Sequence, residues 1–216
     1  MLLAIDSSSV AASCAIFSQE LLVAENFQNT GLTHSSTLLP MIESMMKNAG
    51  KTPGDISQII VTNGPGSFTG LRIGISTALG LAKALGIPCL GVSSLMALAY
   101  GAAGHQGVII PVMDARRDQL YTASFSCDDG VISRICPDRA ISRHELLAEN
   151  YDKPICWTGD AAAQCRRDGQ HIAARPYSAA YGAAQCAFMG HTRKAEQPEY
   201  LRLPQAERER MEKQRV

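Results

Sequence analysis

Twice, about half a chain apart, an apolar run of strand length stops on an aspartate. Leu2-Leu3-Ala4-Ile5 meets Asp6, and Val108-Ile109-Ile110-Pro111-Val112-Met113 meets Asp114. Hairpin signals follow each run. Strands are predicted over 11–17 and 21–27 after the first, and over 119–126 and 131–135, turned at Asp128-Asp129-Gly130, after the second. Helical segments come next in both halves, so the chain reads as one supersecondary plan used twice. The predicted class is α/β, and the turn-prone stretch Gly101-Ala102-Ala103-Gly104 separates the two units.

The helix predicted over 34–49 carries Leu38, Leu39, Ile42, Met45, Met46 and Ala49 at helical spacing and ends at Gly50. A strand over 58–62 runs into Asn63-Gly64-Pro65-Gly66-Ser67-Phe68-Thr69-Gly70, and a helix over 71–85 then stops at Gly86. A strand over 87–92 and a helix over 94–100 complete the first half. In the second, Ser142 and Glu145 make a capping-box signature, a strand is predicted over 154–158, and an alanine-rich helix over 178–191. Residues 205–216 are mostly charged and read as a solvated tail.

The glycine loop has two readings. Glycines let a backbone approach a ligand closely, and a loop feeding a helix N-terminus aims free N–H groups outward, which suits phosphate. The loop departs from the known phosphate-binding patterns, however, because Gly70 is followed by Leu71-Arg72 rather than by lysine and a hydroxyl, and G-x-G-x-x-G is not met. A tight turn anchored by Phe68 is the other reading. Within the next helix Gly70, Gly74 and Ala78 recur every four residues, a strip that calls for another backbone at close range. That backbone is either a helix of the same chain or one of a partner, packed beside the Met45-Met46 face. Asp6-Ser7-Ser8-Ser9 either positions a magnesium–phosphate group or caps a hairpin. Asp114-Ala115-Arg116-Arg117-Asp118 reads as a salt-bridged turn.

Composition excludes several classes. Lysine plus arginine equals aspartate plus glutamate at 20 each, so the chain lacks the overall basic field of a free-standing nucleic-acid binder. Its seven cysteines contain no C-x-x-C, and Cys14, Cys89 and Cys156 lie in apolar runs as core residues of a reduced, cytoplasmic protein. The start of the sequence shows no secretory pattern, and no run approaches the ~20 apolar residues of a membrane span. The five histidines include no H-x-x-x-H or H-E-x-x-H, and no G-x-S-x-G elbow occurs, so no metal or nucleophile centre is predicted.

A resemblance rests on Leu3-Ala4-Ile5-Asp6-Ser7-Ser8, His34-Ser35, Leu38-Leu39-Pro40, Asn63 through Gly74, Gly86-Ile87-Pro88, Gly91-Val92-Ser93-Ser94-Leu95, Asp114-Ala115-Arg116 and Tyr200-Leu201-Arg202. These residues resemble the TsaB (YeaZ) family, in the glycoprotease-like branch of the actin/Hsp70/sugar-kinase fold. The resemblance implies two actin-like (ribonuclease-H-like) subdomains, each a mixed sheet with antiparallel hairpins and flanking helices. They are expected over 1–104 and 105–204, with 205–216 as a disordered tail. It further implies a non-catalytic subunit of the complex that forms N6-threonylcarbamoyladenosine at position 37 of tRNAs reading ANN codons. Its partners would be a TsaD-type catalytic paralogue and a TsaE-type ATPase, with a homodimer as another use of the same surface and tRNA met only through the complex. The catalytic paralogue binds metal through H-x-x-x-H; here His34 aligns with its start, and Leu38 stands where the second histidine belongs. Pairing through the first two helices would use Leu38, Leu39, Ile42, Met45, Met46, Gly70, Gly74 and Ala78. The chain would carry no cofactor by itself, with ATP or ADP at the partner interface and vestigial nucleotide contacts at Asp6, Ser7, Ser8, Gly66 and Ser67. The alternative is an active phosphotransferase or peptidase on the same fold.

Overall fold

The computed structural model describes residues 1–175, 177–195 and 197–201; the expected tail over 205–216 lies outside them. The first half contains β1 (Leu2–Asp6), β2 (Ala12–Ser18), β3 (Leu21–Gln28), α1 (His34–Asn48), β4 (Gln58–Thr62), α2 (Phe68–Leu85), β5 (Cys89–Val92) and α3 (Ser94–Tyr100). The second contains β6 (Gly107–Asp114), β7 (Gln119–Asp128), β8 (Val131–Ser142), α4 (Arg143–Ala148), β9 (Ile155–Thr158), α5 (Ala162–Cys165), β10 (His171–Ile172), α6 (Ala180–Phe188) and β11 (Arg193–Lys194).

The repeated plan is visible in the wiring. β1 pairs antiparallel with β2 and parallel with β4, and β6 pairs antiparallel with β7 and parallel with β9. The first sheet has the order β11-β5-β4-β1-β2-β3 and the second β10-β9-β6-β7-β8. Each is a mixed sheet with a hairpin meander on one side and a parallel crossover on the other.

Both central strands are buried on both faces, which is why they read as unbroken apolar runs. Successive side chains alternate between faces. Leu3, Ile5, Cys14 and Ile16 therefore pack with α1 and α2, while Leu2, Ala4, Ala15 and Phe17 turn the other way. In the second sheet Ile109, Met113 and Phe125 face that same inner core, and Val108, Ile110, Val112 and Leu120 pack beneath α4 and α5. The result is five layers: α1 and α2, a sheet, α3 and α6, a sheet, α4 and α5. Phe17 and Phe125, both fully buried, anchor the middle from opposite sides. Each contributes roughly 1.5–3 kcal/mol by leaving water.

Small residues let the middle layer fit. Ala179, Ala180, Ala183 and Ala184 on or beside α6 are at most 1% exposed. A Cβ at Gly182 would lie 1.7 Å from the Ala97 carbonyl oxygen of α3, so only glycine lets the two helices touch there.

The expected boundary after residue 104 is not a clean one. α6, from the second half, packs on β1, β2 and β4, and β11 joins the edge of the first sheet beside β5, while α3 reaches β6 and β7. The short elements α5, β10 and β11 have too few residues to show periodicity and escape the sequence reading. β8 runs on past Pro137 to Ser142, beyond the strand expected to end at 135. It is an edge strand with irregular register opposite Thr122 to Phe125, a place where proline is tolerated. The cysteines at 14 and 156 are buried as expected and Cys89 is half-buried; burial pushes the Cys14 thiol up to about 12 and that of Cys89 to about 11.

Candidate functional site

The ends of β1 and β6, with the glycine loop and the start of α1, enclose a cleft of about 810 Å³ lined by Ser8, His34, Gly66, Phe68, Asp114 and Asp160 among others. It lies between the two sheets, with Asp114 on its lining and Asp6 buried behind Ser8.

Asp6 is 1% exposed. Its Oδ1 accepts from the Ser8 amide (3.1 Å), the Ser8 hydroxyl (2.7 Å) and the Thr62 hydroxyl (2.6 Å), and its Oδ2 is buried without a hydrogen-bond partner among the described residues. Burial raises its pKa above the ordinary carboxylate value, against the pull of those hydrogen bonds. One oxygen saturated and one buried bare describes a carboxyl that gains from carrying a proton on Oδ2. Asp160 is also raised, first by burial and then by the nearby charge of Asp114, even though it accepts from the Asp114 amide at 2.8 Å. Asp114 itself is exposed and accepts from the Arg116 amide at 2.8 Å.

Each glycine of the loop answers to the chain itself. A Cβ on Gly66 would lie 2.3 Å from the Ser8 carbonyl oxygen, on Gly70 2.1 Å from that of Ser7, and on Gly74 2.2 Å from the Ser7 hydroxyl oxygen. The Ser7 hydroxyl donates to the Gly70 carbonyl (2.9 Å) and the Ser67 amide to that of Ser8 (2.7 Å), so α2 is seated on the Ser7–Ser8 turn. Ser67 caps α2 by accepting from the Gly70 amide, which is why the helix starts at Phe68 instead of Leu71. At the other end of the loop Gly64 has φ +128° and would clash with Glu199, whose amide donates to the Asn63 carbonyl at 2.6 Å. Phe68 does anchor the loop: its ring stacks on Tyr200 at 5.1 Å and lies 3.7 Å from the Arg72 guanidinium.

These interactions sort the expected nucleotide residues. Ser8, Gly66 and Ser67 line the cleft. Asp6 and Ser7 are 1% exposed and held by the chain's own groups, and the Ser8 hydroxyl is spent on Asp6. Residues in that state do not fit a magnesium–phosphate group in the manner of a phosphotransferase. Also on the lining, an imidazole nitrogen of His34 lies 3.0 Å from the Ser9 carbonyl oxygen, while Leu38, one turn on, is buried in the core. Among the described residues no three carboxylate, thiol or imidazole side chains are grouped to hold a metal ion.

The expected pairing residues need correction. Leu38, Ile42, Met45, Met46 and Ala78 are each at most 7% exposed, and Gly70 and Gly74 are buried; of the set only Leu39, 51% exposed, faces outward. Helical periodicity identifies the apolar face, and here that face belongs to this chain's own sheet. The glycine strip likewise meets the Ser7 turn and no second helix. The outer faces of the two helices carry Leu39, Glu43 and Lys47 on α1 and Arg72, Ser76, Gly80 and Lys83 on α2. Gly80 has open space around its Cβ position, so nothing among the described residues requires a glycine there. Its place in the middle of an 18-residue helix, off the buried strip, is legible in the sequence as a helix-interior glycine.

The sequence matches a family model described as "TsaD: tRNA N6-adenosine threonylcarbamoyltransferase" over residues 28–199. It is 31% identical to the tRNA threonylcarbamoyladenosine biosynthesis protein TsaB of Bacillus subtilis (strain 168), with 99% of each chain covered. The solved structure of YeaZ from Pseudomonas aeruginosa superposes with a TM-score of 0.75 at 28% identity, covering 93% of this chain and 99% of that one. Component A of (R)-2-hydroxyglutaryl-CoA dehydratase from Acidaminococcus fermentans shares the fold at 14% identity and a TM-score of 0.55, covering 88% and 98%. The paired mixed sheets are thus the two units of an actin-like fold, and with a relative matched from end to end the chain belongs to the TsaB (YeaZ) family.

Proposed function

We propose that this chain is a non-catalytic subunit in the formation of N6-threonylcarbamoyladenosine on tRNA, where it supports a TsaD-type catalytic partner in the cytoplasm. One observation carries the reading. Where the resemblance gives the catalytic paralogue its second metal histidine, this chain has Leu38, 1% exposed and committed to the core beneath α1. The site cannot regain a ligand there without losing packing. The names of its relatives support the same pathway. The phosphotransferase alternative is disfavoured because Asp6 and Ser7 are held within the fold.

The partner is seated on the outer faces of α1 and α2, with Leu39 as an apolar anchor and Gly80 as the point of close helix approach. A homodimer uses the same faces and yields to the paralogue. A TsaE-type ATPase joins the assembly, and ATP or ADP binds at the interface and not on this chain alone. Reconstitution tests this: the chain alone forms no threonylcarbamoyladenosine, and the paralogue loses activity when it is left out. Full activity of the paralogue by itself would overturn the proposal. Leu39→Arg is expected to abolish pairing in light scattering while leaving the melting temperature unchanged.

A further inference from the structure

The cleft between the two sheets is rimmed by apolar side chains that the fold leaves in water. Val10 is 58% exposed, Leu32 is 64% exposed, and Tyr200 is exposed as well; all three line the cleft, with Phe68 and Ile73 beside them. One exposed apolar residue needs no explanation, but several around a single concave mouth mark a surface that meets a partner.

The rim is drawn from separate parts of the chain, and each part is held. The contact of the His34 ring with the Ser9 carbonyl ties the turn that carries Val10 to the start of α1. The Arg72 Nε donates to the Tyr200 hydroxyl at 3.0 Å, and the Tyr200 ring packs on Phe68. In the second unit the lining at Ala115 and Arg116 is set by a turn in which Arg116 (φ +64°), Arg117 (+56°) and Asp118 (+56°) are all left-handed, a backbone that persists only where its surroundings hold it. A mouth already in place spares an occupant part of the ordering that binding otherwise costs.

Inside the rim, acid outweighs base. Among the described residues Asp114 and Asp160 line the cleft with a single guanidinium, that of Arg116, and neither carboxylate makes an ion pair. The two acids are neighbours, since the Asp160 carboxylate accepts from the Asp114 amide. A phosphate-bearing occupant would set like charge beside them. Apolar side chains around one basic group match both features, the apolar part against the rim and the cation against the acids.

The rim also continues the faces on which the partner is proposed to sit. Leu32 directly precedes Thr33, the N-cap of α1, whose outer face carries Leu39. Phe68 and Tyr200 together hold Arg72, which stands on the outer face of α2. A partner seated on the two helices therefore borders the mouth of the cleft.

We infer that an apolar loop of the catalytic partner, carrying one lysine or arginine, enters this cleft, packs on Val10, Leu32 and Tyr200, and sets its cation against Asp114 and Asp160. The inference rests on the proposed pairing with a TsaD-type paralogue, and it extends the contact from the two helices to the second unit of the fold.

Calorimetry of the full chain with its catalytic paralogue, at several salt concentrations, provides the test. Leu32→Asp and Val10→Asp are each expected to weaken pairing by about tenfold or more, with the melting temperature unchanged because both side chains already stand in water. Asp114→Asn is expected to weaken it by about threefold or more and to flatten its dependence on salt, since a charge pair is lost. Val131→Asp, at a comparably exposed apolar position on β8 outside the cleft, should change neither. Unchanged pairing in either Leu32→Asp or Asp114→Asn, beside a wild-type chain that pairs, would overturn the inference alone. Loss of self-association by Leu32→Asp with pairing to the paralogue intact would overturn it too, by giving the mouth to a second copy. A wild-type chain that does not pair with the paralogue would overturn the functional reading as well.

Discussion

Asp6 and Asp114 end the central strands of two similarly wired sheets and have opposite surroundings. Asp6 is sealed under Thr62 and Ser8 with one oxygen bare, whereas Asp114 stands open in the cleft and holds the turn that follows it. Their neighbours explain the contrast. After its parallel crossover strand the first unit carries the 18-residue α2, whose glycines settle onto the Ser7 turn; the second carries only the four-residue α5. A duplicated plan has kept its topology and let its chemistry diverge, with one copy closed as a rigid platform and the other left open to solvent.

The largest test of this contrast lies where the copies meet. Gly182→Val drives a side chain into the Ala97 carbonyl and should cost about 3 kcal/mol or more, lowering a single unfolding transition in urea. Two separate transitions, only one of them shifted, would show that the units are independent. Gly74→Ala, in the closed copy, should cost about 1–3 kcal/mol because the Ser7 hydroxyl must give way. Next come the caps: Ser67→Ala on α2 and Ser142→Ala on α4 should each lose about 1 kcal/mol, and a difference between them would measure how much more the first copy depends on its helix.

The smallest effects concern the two aspartates. A carboxyl whose pKa is raised on folding stabilises the protein fully below its unfolded value, and that contribution fades as pH rises through the folded value. Asp6 therefore weighs against folding at neutral pH, and Asp6→Asn should raise the melting temperature at pH 7, by an amount that vanishes near pH 3. Asp114→Asn should stay within about 0.5 kcal/mol of wild type, as an exposed position does.

What could be read from residues alone follows from how local each signal is. The Ser142–Glu145 box has both of its hydrogen bonds, because a cap is decided within four residues. The strand, loop and helix around Gly64 to Gly70 also lie close to their predicted places. By contrast, spacing shows that Leu38, Ile42, Met45 and Met46 share a face without showing what covers it; their burial depends on β2 and β3, at a distance along the chain that periodicity does not reach. The backbone of Arg116 to Asp118 leaves no trace in residue type, since neither arginine nor aspartate demands a left-handed conformation.

The crossing of α6 and β11 into the first sheet governs how the chain is made. Synthesis delivers β1 to β5 first, with Leu2, Ala4, Ala15 and Phe17 lacking the helix that finally covers them until residues 180–188 leave the ribosome. The first unit must therefore wait for α6. The bond from the Ala180 amide to the Ser13 hydroxyl closes a separation of 167 residues, and folding of such a topology is slow. A nascent chain stalled after residue 104 would expose that apolar sheet face and be a natural client for chaperones.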